Sequence, residues 1–260
     1  RSFFVTFNTI SVIGLGYVGL PTAAVFASRG INVIGVDTND TVVEIINQGK
    51  VHIVEPDLDK LVRTAVTSRK LSATNKPQAA DAFIIAVPTP FKNNHKPDLS
   101  FLMAAAENLK GVLKKGDLVV VESTVPVGTT QTISEKLSDL CPNLSFPHET
   151  EEADIHIAHS PERVLPGKVL TELIENDRVI GGISNTCGEK AAALYKLLNI
   201  KGQCLLTTAA TAELVKLSEN AFRDVNIAFA NEISVICESL SINPWEAINL
   251  ANHHPRVNIL

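Results

Sequence analysis

The strongest chemical signal in the chain is the run Gly14-Leu15-Gly16-Tyr17-Val18-Gly19, which follows the apolar stretch Ile10-Ser11-Val12-Ile13 and is answered further on by Val33-Ile34-Gly35-Val36-Asp37. Placed between a strand and a helix, the first glycine permits a tight turn. The second lets backbone N–H groups approach a pyrophosphate, and the third lets the helix pack closely on the strand. The helix N-terminus then faces the phosphate charge. Asp37 closes the second strand, where a carboxylate bonds both ribose hydroxyls and repels a 2′-phosphate, so the site reads as one for NAD rather than NADP. Tyr17 and Val18 lie within the turn and join Gly14, Gly16, Gly19 and Asp37 as candidate cofactor contacts.

Other candidates are weaker one by one. Lys216 and Asn220 stand four apart, so on a helix they share a face and can meet one oxygen, although a solvated lysine beside a surface asparagine is the ordinary alternative. Glu162 follows Ser160-Pro161 directly after a strand-like run and could act as a base at a sheet's ligand edge, or be a plain loop acid. Arg163, Lys168, Arg223 and Arg256 could hold a phosphorylated substrate, yet most arginines are simply solvated. Cys141, Cys187, Cys204 and Cys237 are scattered singly, with no CxxC pair and no histidine at ligand spacing, so they read as reduced thiols and no metal is expected.

These residues need a scaffold, and the apolar patterning describes one. A short strand near Leu71 is followed by buried-strand runs at Ala82-Phe83-Ile84-Ile85-Ala86-Val87 and Leu118-Val119-Val120-Val121, with helix periodicity from Ser100 to Leu113 between them. Further strands are expected at Ile155-His156-Ile157-Ala158 and Arg178-Val179-Ile180, and a helix from about Cys187 to Leu198. The alternation predicts an α/β fold, a Rossmann-like, doubly wound, mostly parallel sheet. Such sheets bind ligands beyond the carboxyl ends of their strands, which directs attention to Thr89, Thr124 and the loop opening at Ser160. From Ala209 to about Leu240 the pattern becomes one long amphipathic helix without proline or glycine, and Asn243-Pro244 opens another that leads to His253-His254-Pro255-Arg256. We therefore expect a dinucleotide-binding domain over residues 1–205 and, over 206–260, the start of an all-α central domain.

With 260 residues, 45% apolar composition and a mean hydropathy of +0.16, the chain can bury a full core. A net charge of −5 with no basic run argues against a nucleic-acid or anionic-membrane partner. No stretch has the length of a spanning helix, and the apolar start Phe3-Phe4-Val5 lacks the core and cleavage site of a signal peptide, so the expected address is cytoplasmic. Both ends read as cut, and the chain is expected to be a fragment.

Taken together, Gly14-Leu15-Gly16-Tyr17-Val18-Gly19-Leu20-Pro21, Val87-Pro88-Thr89-Pro90, Glu122-Ser123-Thr124-Val125-Pro126-Val127-Gly128, Ser160-Pro161-Glu162 and Lys216-Leu217-Ser218-Glu219-Asn220 with Asn231-Glu232 make the chain resemble the UDP-sugar 6-dehydrogenases. Within that family, Ser160-Pro161-Glu162-Arg163-Val164-Leu165-Pro166-Gly167 and His254-Pro255-Arg256-Val257-Asn258 resemble the UDP-N-acetyl-D-mannosamine branch, where the UDP-glucose branch usually has an aromatic residue after the glutamate and an acid in place of Pro166.

The resemblance implies two successive NAD-dependent oxidations at C6, from alcohol to carboxylate, giving a uronic acid donor for bacterial surface polysaccharide. It implies that Lys216 and Asn220 hold the C6 oxygen, and that Glu162 and Thr124 assist hydrolysis of a cysteine thioester. It also implies that Thr89, Thr124 and Thr130 contact the cofactor, and that Arg163, Val164, Arg223, His254 and Arg256, with Lys216 and Asn220, contact the UDP-sugar. The family's nucleophile lies in a Gly-Gly-His-Cys segment that none of the four cysteines matches, and the UDP-binding C-terminal domain is absent, so these residues alone are expected to bind NAD without completing turnover.

Three alternatives stay open. UDP-N-acetylglucosamine or UDP-glucose could be the substrate. A β-hydroxyacid dehydrogenase also joins a dinucleotide domain to a long helix with lysine and asparagine four apart, but makes one oxidation. A non-catalytic NAD-binding or oligomerisation module would use the long helix for assembly alone, and its apolar face suggests a homodimer.

Overall fold

Short runs rich in valine and isoleucine form the strands of the computed structural model, which describes residues 6–198 and 201–260. The strands are β1 (Thr9–Ile13), β2 (Asn32–Val36), β3 (Leu71–Thr74), β4 (Ala82–Ile85), β5 (Leu118–Val121), β6 (His156–His159), β7 (Arg178–Gly182) and β8 (Cys204–Thr208). Between and after them run α1 (Gly19–Ser28), α2 (Asp40–Asn47), α3 (Leu58–Thr67), α4 (Ser100–Glu107), α5 (Thr129–Leu140), α6 (Val169–Glu175), α7 (Asn185–Lys196), α8 (Ala209–Leu240) and α9 (Pro244–Ala251).

The strands form one sheet in the order β3-β2-β1-β4-β5-β6-β7-β8, parallel throughout except for the β6–β7 pair. Register matters for function. Ile13 pairs with Val36 and with Ile85, Ile85 with Val121, and Val121 with His159. The residues that follow, Gly14, Asp37, Ala86, Glu122 and Ser160, therefore share one sheet edge, and β1 lies at the switch point where chain order reverses.

Both faces of the sheet are covered. On one, Leu20 and Phe26 of α1, Val62 of α3, Leu173 of α6 and Tyr195 of α7 pack on Ile10, Val12, Ile84 and Val120. On the other, Leu102 of α4 and Ile133 and Leu137 of α5 pack on Ile85, Val119, Val121 and Ile157. Burial on both faces is why β4 and β5 read as unbroken apolar runs. Phe26 is fully buried, and truncating such a side chain to alanine costs about 3–5 kcal/mol.

The chain falls into two compact units, residues 1–214 and 215–260. The first holds the sheet and the first turn of α8. The second holds the rest of α8 and α9, whose N-terminus is capped by Asn243 accepting from the Trp245 and Glu246 N–H groups, with Pro244 in the first turn.

Several boundaries differ from the sequence expectation. The helix predicted from Ser100 to Leu113 stops at Glu107, and Gly111 takes a left-handed φ of 90° in the turns that follow. β6 begins and ends one residue later than Ile155–Ala158. β8 carried no usable signal, because Leu205 and Leu206 lie at the sheet's edge, 43% and 52% exposed, instead of forming a buried run. Phe3-Phe4-Val5 lie outside the described residues. Among those described, no helix is long and apolar enough to cross a membrane.

Candidate active site

The shared strand edge opens into a cavity of about 650 Å³ walled by the glycine turn, Asp37, the Val87-Pro88-Thr89 loop, Glu122-Ser123-Thr124 and Glu162. The glycine turn is fixed by its backbone. Gly14 has φ 90° and donates its N–H to Val36, and a Cβ there would lie 2.6 Å from the Ala86 carbonyl oxygen. At Gly19 a Cβ would lie 1.8 Å from the Gly14 carbonyl oxygen, so α1 can start this close to β1 only with hydrogen at that position. A Cβ on Gly16 would meet no atom within 4 Å. That open face, beside the start of α1, is where a pyrophosphate can approach the backbone, so the residues present fit a dinucleotide.

Asp37 is held by the backbone around it. Its two carboxylate oxygens accept from the Leu15 N–H at 3.0 Å and the Asn39 N–H at 2.9 Å, which ties the end of β2 to the glycine turn. Each oxygen keeps a further lone pair for a ligand hydroxyl. On the opposite wall, Thr89 donates to the Thr124 carbonyl at 2.7 Å and Ser123 to the Val87 carbonyl at 2.6 Å, joining the loops after β4 and β5.

Residues 8–199 match the NAD-binding domain of the UDP-glucose/GDP-mannose dehydrogenase family, and residues 210–260 match that family's central domain. The chain belongs to this family. It is 61% identical to an NDP-N-acetyl-D-galactosaminuronic acid dehydrogenase of Ralstonia nicotianae, covering all of this chain and 62% of that protein. It is also 61% identical to a UDP-N-acetyl-D-mannosamine dehydrogenase of Yersinia pestis, over 98% of this chain and 61% of that one. Among solved structures, a UDP-D-ManNAc dehydrogenase of Pyrococcus horikoshii superposes with a TM-score of 0.90 at 44% identity, over 97% of this chain and 59% of that chain. The chain thus spans about three fifths of the length of these dehydrogenases.

The structure gathers part of the sequence-derived site for this UDP-glucose/GDP-mannose dehydrogenase family member. Gly14, Gly16, Tyr17, Val18, Asp37, Thr89, Thr124 and Glu162 all line the cavity, with Gly19 behind the turn. Thr130 lies elsewhere. It is fully buried, and its N–H and hydroxyl donate to one Glu213 carboxylate oxygen at 2.7 and 2.6 Å, while the Gly128 N–H donates to the other at 2.6 Å. Gly128, which caps α5, has no side chain to accept from that helix, and Glu213 supplies the missing acceptor from α8.

The Ser160–Lys168 loop is held by carboxylates. Glu162 accepts from the Val164 N–H, Glu172 from the Leu165 N–H at 2.7 Å, and the buried Glu55 from the Gly167 and Val169 N–H groups at 2.8 and 2.7 Å. The Arg163 guanidinium donates to the Asp177 carbonyl at 3.0 Å.

In the second unit, Lys216, Asn220 and Arg223 follow one another at helical spacing on α8. His254 and Arg256 sit in a tail closed by Asn252, whose side chain donates to the Ile259 carbonyl at 2.9 Å and accepts its N–H at 2.7 Å. Sequence reasoning missed Glu213, Glu55 and Arg178. The first two pair with backbone groups far along the chain, 83 residues away for Glu213 and Thr130, which no local pattern reports. Arg178 had a signal, since it is a charged residue opening an otherwise apolar strand.

Proposed function

We propose that the whole protein to which these residues belong oxidises the C6 alcohol of UDP-N-acetyl-D-mannosamine to the carboxylate, a four-electron change. The supporting observation is the single cavity in which Thr124 and Glu162 share a wall with the glycine turn and Asp37. When bound, NAD accepts a hydride from C6 in each of the two oxidations. Lys216 and Asn220 hold the C6 oxygen, and the lysine takes the hydroxyl proton or stabilises negative charge developing on oxygen. A cysteine outside these residues attacks the aldehyde to give a thiohemiacetal, which loses the second C6 hydride and its hydroxyl proton to become a thioester. Water then displaces the thiol from the resulting thioester while Glu162, with Thr124 beside it, takes the water's proton. Arg163, Val164, Arg223, His254 and Arg256 bind the nucleotide sugar, and Thr89 and Thr124 serve the cofactor end, whereas Thr130, buried against Glu213, acts only by fixing the start of α5.

Exposed apolar residues on α8, including Phe222, Val225 and Phe229 at 70%, 68% and 52%, support a homodimer through that helix. We place the enzyme in the cytoplasm. The mannosamine epimer rests on the loop resemblance, because relatives named for mannosamine and for galactosaminuronic acid are equally identical to the chain.

The test is NADH formed per sugar consumed by the full-length protein. UDP-N-acetylmannosamine is run beside UDP-N-acetylgalactosamine, UDP-N-acetylglucosamine and UDP-glucose. Two NADH per molecule, fastest with the first, is the expected result. One NADH per molecule removes the thioester step, and no turnover with any of them rejects the reading.

A further inference from the structure

Beneath the cavity lies a polar cluster that none of the chemistry above uses. Glu122 lines the cavity yet is only 1% exposed. One carboxylate oxygen accepts from the Arg178 guanidinium and from the Tyr195 hydroxyl, each at 3.3 Å, and the other accepts from the Thr22 hydroxyl at 3.5 Å. The Arg178 guanidinium lies 4.2 Å from the Tyr195 ring centroid and donates to Ser160 Oγ at 3.5 Å. Arg178 reaches this edge because β7 runs antiparallel to β6 with Gly181 opposite His159, so its first residue lies past the end of β6. Burial pushes the Glu122 carboxyl up, and Arg178 beside it opposes that shift.

Taking two charges out of water costs about as much as their attraction returns, and apolar residues of similar volume often serve stability equally well. Stability alone is therefore a poor account of this pair. What the pair touches gives a better one. Arg178, held by the Glu122 carboxylate, donates to the Ser160 side chain at one end of the Ser160-Pro161-Glu162 turn, and at the other end the Glu162 N–H donates to the Glu122 main-chain carbonyl at 3.4 Å, so the turn is set by where Glu122 and Arg178 sit. Thr22 ties the same cluster to α1, the helix that follows the glycine turn.

We propose that Glu122 and Arg178 are positioning residues that hold the Ser160-Pro161-Glu162 turn so that Glu162 serves the hydrolytic step at the cofactor cavity. This rests on the sugar-nucleotide oxidation proposed above. The pair fixes the turn from behind, and Glu162 alone meets the reacting group.

The experiment uses the full-length protein with Glu122→Gln and Arg178→Met combined. This leaves no lone buried charge; the amide oxygen accepts from Tyr195, and the amide nitrogen donates to the Thr22 hydroxyl, which turns to accept. Stopped-flow NADH formation is followed beside Glu162→Gln. The expected trace is a burst approaching two NADH per active site at the wild-type rate, then a steady state slowed at least about 20-fold, with KM for NAD within about threefold of wild type. Adding Glu162→Gln to the pair is expected to slow the steady state by no more than about twofold beyond Glu162→Gln alone, as for residues acting as one unit.

Arg178→Lys, which keeps the charge but loses the planar fork that reaches Glu122 and Ser160 together over the Tyr195 ring, is expected to leave the burst intact and slow the steady state at least about fivefold. Glu122→Asp, which keeps the charge and draws the carboxylate back by one methylene, is the variant read if the double substitution does not fold, with the same burst and slowed steady state expected. Equal loss in burst and steady state, or undiminished turnover, overturns the proposal for either variant. A wild-type protein that forms no NADH from any UDP-sugar overturns the sugar-nucleotide reading itself, which is a separate result.

Discussion

At the scale of single residues, the three glycines of the turn perform different tasks and respond differently to the same substitution. Gly19→Ala sets a methyl group against the Gly14 carbonyl at 1.8 Å, a backbone contact that nothing flexible can relieve. We expect it to destabilise the first unit by at least about 3 kcal/mol, read as a lower midpoint in urea unfolding. Gly16→Ala meets no neighbour within 4 Å, so stability should change by less than about 1 kcal/mol. NADH affinity should nevertheless fall at least about tenfold, because the methyl group takes up space at the proposed pyrophosphate approach. Fluorescence titration of NADH checks this. Unchanged affinity would show that the cofactor does not lie against that face.

At the scale of elements, helix termini in this fold are completed by carboxylates from distant segments. Glu213 near the start of α8 completes α5, and Glu55 in the loop before α3 completes α6. Removing such an acceptor leaves buried N–H donors unpaired. Glu213→Ala is expected to cost about 2–4 kcal/mol, more than an exposed cap, since it leaves the Gly128 and Thr130 N–H groups and the Thr130 hydroxyl without their acceptor. The midpoint of thermal unfolding reads the loss, and a midpoint within a degree of wild type would refute it.

At the scale of the whole molecule, buried histidine links stability to acidity. His159 ends β6, fully buried, and burial holds its imidazole near pKa 4, outweighing an opposing contribution from the Val121 backbone. Unfolded histidine takes a proton near pH 6.5, so between about 6.5 and 4 the unfolded chain binds more protons and acid favours unfolding. His159 thus contributes on the order of 3 kcal/mol at neutral pH, lost as pH falls through that window. His156, also lowered to about 4 by burial and then by Lys190, acts in the same direction. Stability should fall from pH 7 to pH 5, and less steeply in His159→Gln. Equal slopes would refute the assignment. Assembly also belongs to this scale. If α8 forms the proposed dimer, Phe222→Asp with Phe229→Asp should shift the full-length protein to monomer in sedimentation velocity, and an unchanged sedimentation coefficient would place the interface elsewhere.

The sequence by itself determined the dinucleotide turn, Asp37, the buried strands β4 and β5 and the full extent of α8, because each is a local pattern: glycine spacing, an unbroken apolar run, a helical period without proline or glycine. It also singled out Thr124 and Glu162, through motifs placed just after strands. Tertiary structure alone decided that Thr130 is bound to Glu213, that Asp37 braces the glycine turn, and that Glu122 meets Arg178, Tyr195 and Thr22. Those partners lie far apart in the chain, and the direction of β7, which no periodicity encodes, brings Arg178 to the ligand edge. A strand's alternation reports which residues are buried, whereas the partner of a buried charge depends on which distant strand end the sheet's order and register set beside it.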